Sequence, residues 1–165
     1  MRLYLMRHGI AVDRAEPNCP ADPDRPLTKL GVERTREAAI GLARLGAKPA
    51  VFLSSPYLRA LQTAEIAAEA FGFSARKIRR SNALLPQAEP RELFRELADL
   101  TVAEVICFGH APHLNEAVAW ALGSKQLLTQ LKKAGVAVLE LERVAPPRGV
   151  LFALFPAKVL RKLAG

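Results

Sequence analysis

Cysteine is scarce in this chain: Cys19 and Cys107 are the only two in 165 residues. A disulfide framework of the kind that staples small secreted domains is therefore excluded. Cys107 lies within the apolar run Val105-Ile106-Cys107-Phe108 and is expected to be buried, whereas Cys19 sits in a Pro/Asp-rich loop. Long apolar runs are missing too, and none approaches the roughly 20 residues that span a bilayer. Leu3-Tyr4-Leu5-Met6 is cut off at once by Arg7 and His8, too short for a secretory core. Two free thiols and a cytoplasmic location are the corresponding expectations. Acids are outnumbered, 16 against 24 Lys and Arg, which gives a formal net charge of +8. The basic clusters (Arg76-Lys77-Ile78-Arg79-Arg80, Lys132-Lys133 and Arg161-Lys162) are short and scattered. No aromatics interleave them to stack bases, so nucleic acid is not the expected partner, although such a surface attracts any anion.

What is present is ordinary for a globular protein: half the residues are hydrophobic and 24% are charged. The length suits one domain over residues 1–165. Aromatics make up only 6%, while Ala and Leu abound, which favours helices packed on a sheet. Arg2 to Met6 reads as a buried strand, followed by a Pro/Asp-rich loop from Glu16 to Pro26. Thr28 is a plausible cap for a helix to about Leu45, stopped by Gly46. Ala50 to Leu53 is a second strand, and a helix from Tyr57 to Phe71 follows it. Arg79 to Leu85 gives a weakly signalled third strand, and Pro90 opens a helix to about Leu100. Val102 to Phe108 is the clearest buried strand, with a helix from His113 to Leu122 after it. Val136 to Glu142 and Val150 to Phe155 alternate as a hairpin around Pro146-Pro147. The pattern predicts an α/β fold, a three-layer α/β/α sandwich on a mostly parallel sheet with some antiparallel character.

Polar residues recur at the strand ends. Arg7-His8-Gly9 follows the first strand, Ser54-Ser55 the second, and Gly109-His110 the Val102–Phe108 strand. Open α/β sheets bind ligands beyond the carboxyl ends of their strands, so three motifs are predicted to converge on one edge. Arg59 falls in the first turn of its helix, beside free N–H groups and the positive end of the dipole. A cation there is unfavourable unless an anion lies between. His110 should sit at the same edge, and His113 reads as a neutral residue at a helix start. His110 and His113 are three apart, which invites a metal reading. Arg7 and Arg59 would repel a divalent cation, however, so neither metal nor cofactor is expected.

The ordered set Arg7-His8-Gly9, Leu27-Thr28 with Gly31, Ser54-Ser55-Pro56 with Arg59-Ala60 and Gln62-Thr63-Ala64, then Gly109-His110 with Pro112 resembles the histidine phosphatase superfamily, also called phosphoglycerate-mutase-like. The resemblance covers nearly the whole chain. Its compact length and Arg25-Pro26-Leu27-Thr28 look most like the small phosphohistidine phosphatase branch. The resemblance implies that His8 is the nucleophile that becomes phosphorylated, with Arg7, Arg59 and His110 completing the phosphate pocket. It also implies an acid in the segment after the third strand, where Glu89 is the one carboxylate, with Asp13 and Asp24 as alternatives. Glu89 reads equally as an ordinary acid at a helix start. Ala111 stands where many relatives have Asn. The expected activity is a cofactor-independent phosphatase acting on phosphohistidine in a protein, such as a signalling domain that carries it. A small-molecule phosphomonoester phosphatase and a phosphate-binding module without turnover are the alternatives.

Overall fold

Strand β1 (Arg2–Arg7) sends Leu3 and Leu5 to one side and Tyr4 and Met6 to the other, and all four are buried. A strand covered on both faces reads as a continuous apolar run, which is why this one shows no polar alternation. Six strands form one sheet in the order β3-β2-β4-β1-β5-β6 in the computed structural model, which describes residues 1–165. β2 (Val51–Ser54), β3 (Arg79–Arg80), β4 (Glu104–Gly109) and β1 run parallel. β5 (Val136–Arg143) and β6 (Arg148–Phe155) add an antiparallel hairpin beside β1.

Leu3 and Leu5 share a core with Leu93, Phe94 and Leu97 of helix α3 (Pro90–Ala98) and with Leu114 and Val118 of helix α4 (His113–Ala121). Tyr4 and Met6 pack with α1 (Lys29–Arg44), α2 (Leu58–Ala70) and α5 (Ala157–Lys162) through Leu42, Ala64 and Leu160. The three layers anticipated from the sequence are present. Thr28 caps α1, its Oγ1 accepting from the Gly31 N–H at 3.0 Å. Gly46 and Gly72 follow the first two helices with φ of +85° and +62°, where an L side chain would be strained.

One element differs from expectation. The third strand stops after Arg79 and Arg80 instead of running to Leu85. Ser81 ends it: its Oγ accepts from the Ala83 N–H at 3.2 Å and starts a 3-10 turn over Asn82–Leu84. A side chain that offers the backbone a local partner takes it out of the ladder.

Register fixes the functional edge. Met6 and Ser54 both pair with Phe108, and Arg7 pairs with Gly109. The carboxyl ends of β1, β2 and β4 are therefore level, and His8, Ser55 and His110 emerge side by side.

Candidate active site

His8 leaves β1 with its backbone N–H bonded to the Gly109 carbonyl at 3.0 Å. The residue is 7% exposed. Nδ1 donates to the Gly9 carbonyl at 2.7 Å, and Nε2 accepts from Arg59 Nε at 3.3 Å. Those partners select the tautomer with the proton on Nδ1 and the lone pair on Nε2. Burial pushes His8 down to about 3, against the pull of the Gly9 carbonyl, and the charges of Arg59, Arg7 and Lys133 hold it there. The ring is neutral at physiological pH.

His110 lies beside it, ring centroid to ring centroid 5.1 Å. Its Nε2 is 2.8 Å from Ser55 Oγ, and burial followed by the His8 and Arg59 neighbours lowers it to about 2. Ser55 Oγ also accepts from the Tyr57 N–H at 3.3 Å. His110 Nδ1 is a buried atom without a protein partner.

Helix α2 carries the rest of the motif in an orderly way. Arg59, its second residue, is buried and reaches His8, and its carbonyl accepts from Thr63 Oγ1 at 2.7 Å. Thr63 Oγ1 in turn accepts from the Gly9 N–H at 3.0 Å, and Gln62 Oε1 accepts from the Leu27 N–H at 2.8 Å. Gln62 and Thr63 thus tie α2 to the turn after β1 and to the start of α1. Gly9 has no room for a side chain, since a Cβ there would come within 2.2 Å of Thr35 Oγ1.

These residues open on a cavity of about 280 Å³ lined by Arg7, His8, Arg14, Arg25, Arg59, His110 and Lys133, with Ala11, Pro86 and Ala111. The lining has five cationic side chains and no carboxylate. A larger concavity of about 690 Å³ lies at the opposite edge, by Met1 and Glu104. Its charges are of both signs, and Arg2 is paired with Glu140 and Arg148 with Glu142. The smaller cavity is the one suited to an anion.

Arg7, His8, Arg59 and His110 are thus brought together, and Glu89 is not among them. Glu89 is exposed, precedes α3, and pairs with Arg91 at 2.6 Å. Asp13 and Asp24 are exposed as well. The carboxylate that does reach the cluster is Asp22, which sequence reasoning passed over. It accepts from Arg14 Nε at 3.0 Å, Arg25 Nε at 2.9 Å and Arg59 Nη2 at 3.2 Å, and its main-chain oxygen accepts from Arg59 Nη1 at 2.6 Å. Partial burial raises its affinity for a proton, yet the bonds from Arg14 and Arg25 and the Arg59 charge bring it down to about 2. Arg14, Arg25 and Asp22 come from the loop between β1 and α1, and Lys133 from the segment before β5. No spacing rule announces such residues.

An α/β sheet whose carboxyl edge gathers neutral histidines in a cavity of cations defines a class, the enzymes of phosphoryl chemistry. The chain belongs to the histidine phosphatase superfamily and is a phosphatase. The model of that superfamily's branch 1 matches residues 3–84. An uncharacterised protein of Picosynechococcus sp. is 42% identical over 144 residues, 82% of each chain. Among solved structures, the protein histidine phosphatase SixA complexed with tungstate superposes with a TM-score of 0.84 at 24% identity, covering 96% of this chain and 98% of that one. A SixA structure from Agrobacterium tumefaciens gives 0.76 at 26% identity, over 93% and 97%. The phosphoglycerate-mutase-like architecture expected from the motifs is the one observed.

Proposed function

We propose that the chain hydrolyses phosphohistidine on a partner protein through a phosphoryl group carried transiently on His8 Nε2. One observation carries the mechanism: His8 holds its proton on the Gly9 side and presents the Nε2 lone pair beside Arg59. A ring kept neutral by burial is a competent nucleophile without a separate base. The Nε2 lone pair attacks phosphorus, and the bond to the leaving group breaks with its electron pair going to that group. Water then attacks the phosphorus on His8, releases inorganic phosphate and returns the lone pair to Nε2. Arg7 and Arg59, with His110 beside them in the lining, are the groups placed for the equatorial oxygens, where the transition state spreads its charge.

The choice of substrate rests on the lining. No carboxylate there is free to protonate a leaving alkoxide, and Asp22, tied to three arginines, stays ionised. A phosphorylated imidazole protonated on its other ring nitrogen leaves as neutral imidazole and needs no acid at the site, whereas an ester must expel a strongly basic alkoxide, which favours a P–N bond over an ester. The structural likeness to SixA phosphohistidine phosphatases supports the same reading.

Rapid-quench labelling should trap an acid-labile phosphoenzyme that is absent in His8→Ala, and the variant should lose at least about 1,000-fold in rate. Full turnover by His8→Ala would remove the mechanism. A phosphohistidine protein should then be compared with a panel of phosphate esters, and strong preference for one ester would overturn the protein substrate.

A further inference from the structure

Behind Arg7 lies a second cavity, of about 410 Å³, between the Gly9–Ile10 turn, the start of α1, residues 132–134 and the start of α5. It shares Arg7 and Lys133 with the cavity that contains His8 and His110. Its other charged residues are Arg34, Lys132, Lys158 and Arg161, and no acid lines it. Arg161 is balanced by Glu37 at 2.5 Å, while the remaining five cations have no ion pair. Like charges gathered around one space repel each other unless something negative sits among them.

Hydrogen bonding singles out the same place. Six buried side-chain polar atoms in the molecule have no partner, and three of them, Arg7 Nε, Arg34 Nε and Thr35 Oγ1, belong to residues lining this cavity. The other three are ring nitrogens of His110 and His113. Buried polar atoms left unpaired are rare, and an ordered water or ion nearby is one explanation for them. Arg34 lines the cavity from α1 and has no carboxylate partner of its own.

We propose that this cavity is a second oxyanion subsite, which binds a phosphate or carboxylate group of the same ligand whose phosphoryl group lies at His8. The inference rests on the phosphatase reading of the first cavity and specifies its substrate: a molecule with two neighbouring anionic groups. Arg7 and Lys133 stand between the two groups and serve both. The second anion has two sources with the same chemistry, a further phosphate on a small molecule or an acidic side chain next to the phosphorylated residue of a protein.

Inorganic phosphate is the first probe, titrated calorimetrically into the whole chain at constant ionic strength. Wild type should bind two phosphates. Arg34→Gln combined with Lys158→Gln should weaken one of them at least about tenfold and leave vanadate inhibition at the first cavity unchanged. Arg59→Gln should do the reverse, weakening the phosphate at His8 and sparing the other. Arg76→Gln with Lys77→Gln removes equal charge from the opposite edge of the sheet and should weaken neither. A single phosphate in wild type, or two retained by Arg34→Gln/Lys158→Gln, overturns the subsite while the vanadate result still reports on the first cavity. Equal weakening by the Arg76/Lys77 pair overturns it too, since the effect would then be general charge. In the second arm, kcat/KM of Arg34→Gln/Lys158→Gln is measured on a bisphosphorylated ester and on a phosphohistidine peptide with acidic neighbours. A tenfold loss on either substrate identifies the source, and no loss on both overturns the proposal.

Discussion

Asp22 rests on three arginines at once, and one of them, Arg59, also touches His8. Its carboxylate therefore competes with a substrate phosphate for the same guanidinium. Asp22→Asn keeps the shape and removes the competitor, so inorganic phosphate and vanadate should bind several-fold more tightly, read as a lower inhibition constant. A higher constant would mean that Asp22 instead holds Arg59 in its working orientation. His113 poses a different question at the same scale. It is fully buried at the first position of α4, neither ring nitrogen has a partner, and burial lowers it to about 4. All three histidines are depressed in the folded state, while in the unfolded chain each titrates near 6.5. Below that value the unfolded chain binds more protons, so stability falls as the pH drops through it and continues to fall toward the folded values of about 4, 3 and 2. Each histidine adds up to about 1.4 kcal/mol per pH unit in that window. His113→Leu should flatten the dependence by about a third and cost under about 1.5 kcal/mol near neutrality, measured by urea unfolding at several pH values. An unchanged slope would show that His113 is protonated in the fold. The sequence marked His8, Arg59 and His110 by position, because each follows a strand end or opens a helix. Asp22 and Lys133 were hidden, since a loop brings them in by tertiary packing and not by periodicity.

At the scale of elements, the motif around Thr28 and Gly31 turns out to be a seating device. Thr28 Oγ1 satisfies the Gly31 N–H, and the Thr28 N–H donates to the Ile10 carbonyl at 2.9 Å. Gly31 lies so close to the turn after β1 that a Cβ would come within 2.0 Å of the Ile10 oxygen. Helix α1 therefore docks through backbone against the segment that carries His8 and Gly9. Gly31→Ala must push the two apart and should cost about 1–3 kcal/mol of stability. The displacement of His8 from Arg59 should also lower kcat. Thr28→Ala removes only the cap, should cost about 1 kcal/mol, and should leave kcat nearly intact. The two variants are separated by denaturant midpoint and turnover together, and equal kcat losses would contradict the docking argument. Helix limits were legible to within a few residues because caps and positive-φ glycines mark them. The third strand was overextended because a two-residue ladder has no periodicity to read, and Ser81 offered a turn that competes with pairing.

Across the whole molecule the net charge of +8 is not spread evenly with respect to function. The two cavities at the His8 edge together take in Arg7, Arg14, Arg25, Arg34, Arg59, Lys132, Lys133, Lys158 and Arg161. No carboxylate lines either one, and the two that pair with these cations from outside, Asp22 and Glu37, are both engaged by arginines. The concavity at the far edge mixes Glu104, Glu140 and Glu142 with Arg2 and Arg148. A sequence reports total charge but not the edge on which it falls, so nothing in it separated Lys132-Lys133 and Arg161, which reach the His8 edge, from Arg76-Lys77, which do not. The resulting field should draw a dianionic substrate toward His8 from beyond contact distance. Screening shortens that reach to about 10 Å at 0.1 M salt and about 3 Å at 1 M. Raising sodium chloride from about 0.05 to about 0.5 M should therefore lower kcat/KM for a dianionic substrate by on the order of tenfold. The turnover number should change little, because the bound phosphate already touches its arginines and excludes salt. Arg76→Gln/Lys77→Gln, at the opposite edge, should keep the same salt dependence as wild type, whereas Lys133→Gln should reduce it. A turnover number that fell in step with kcat/KM would instead place the salt effect inside the cavity, on the contacts of Arg7 and Arg59 themselves.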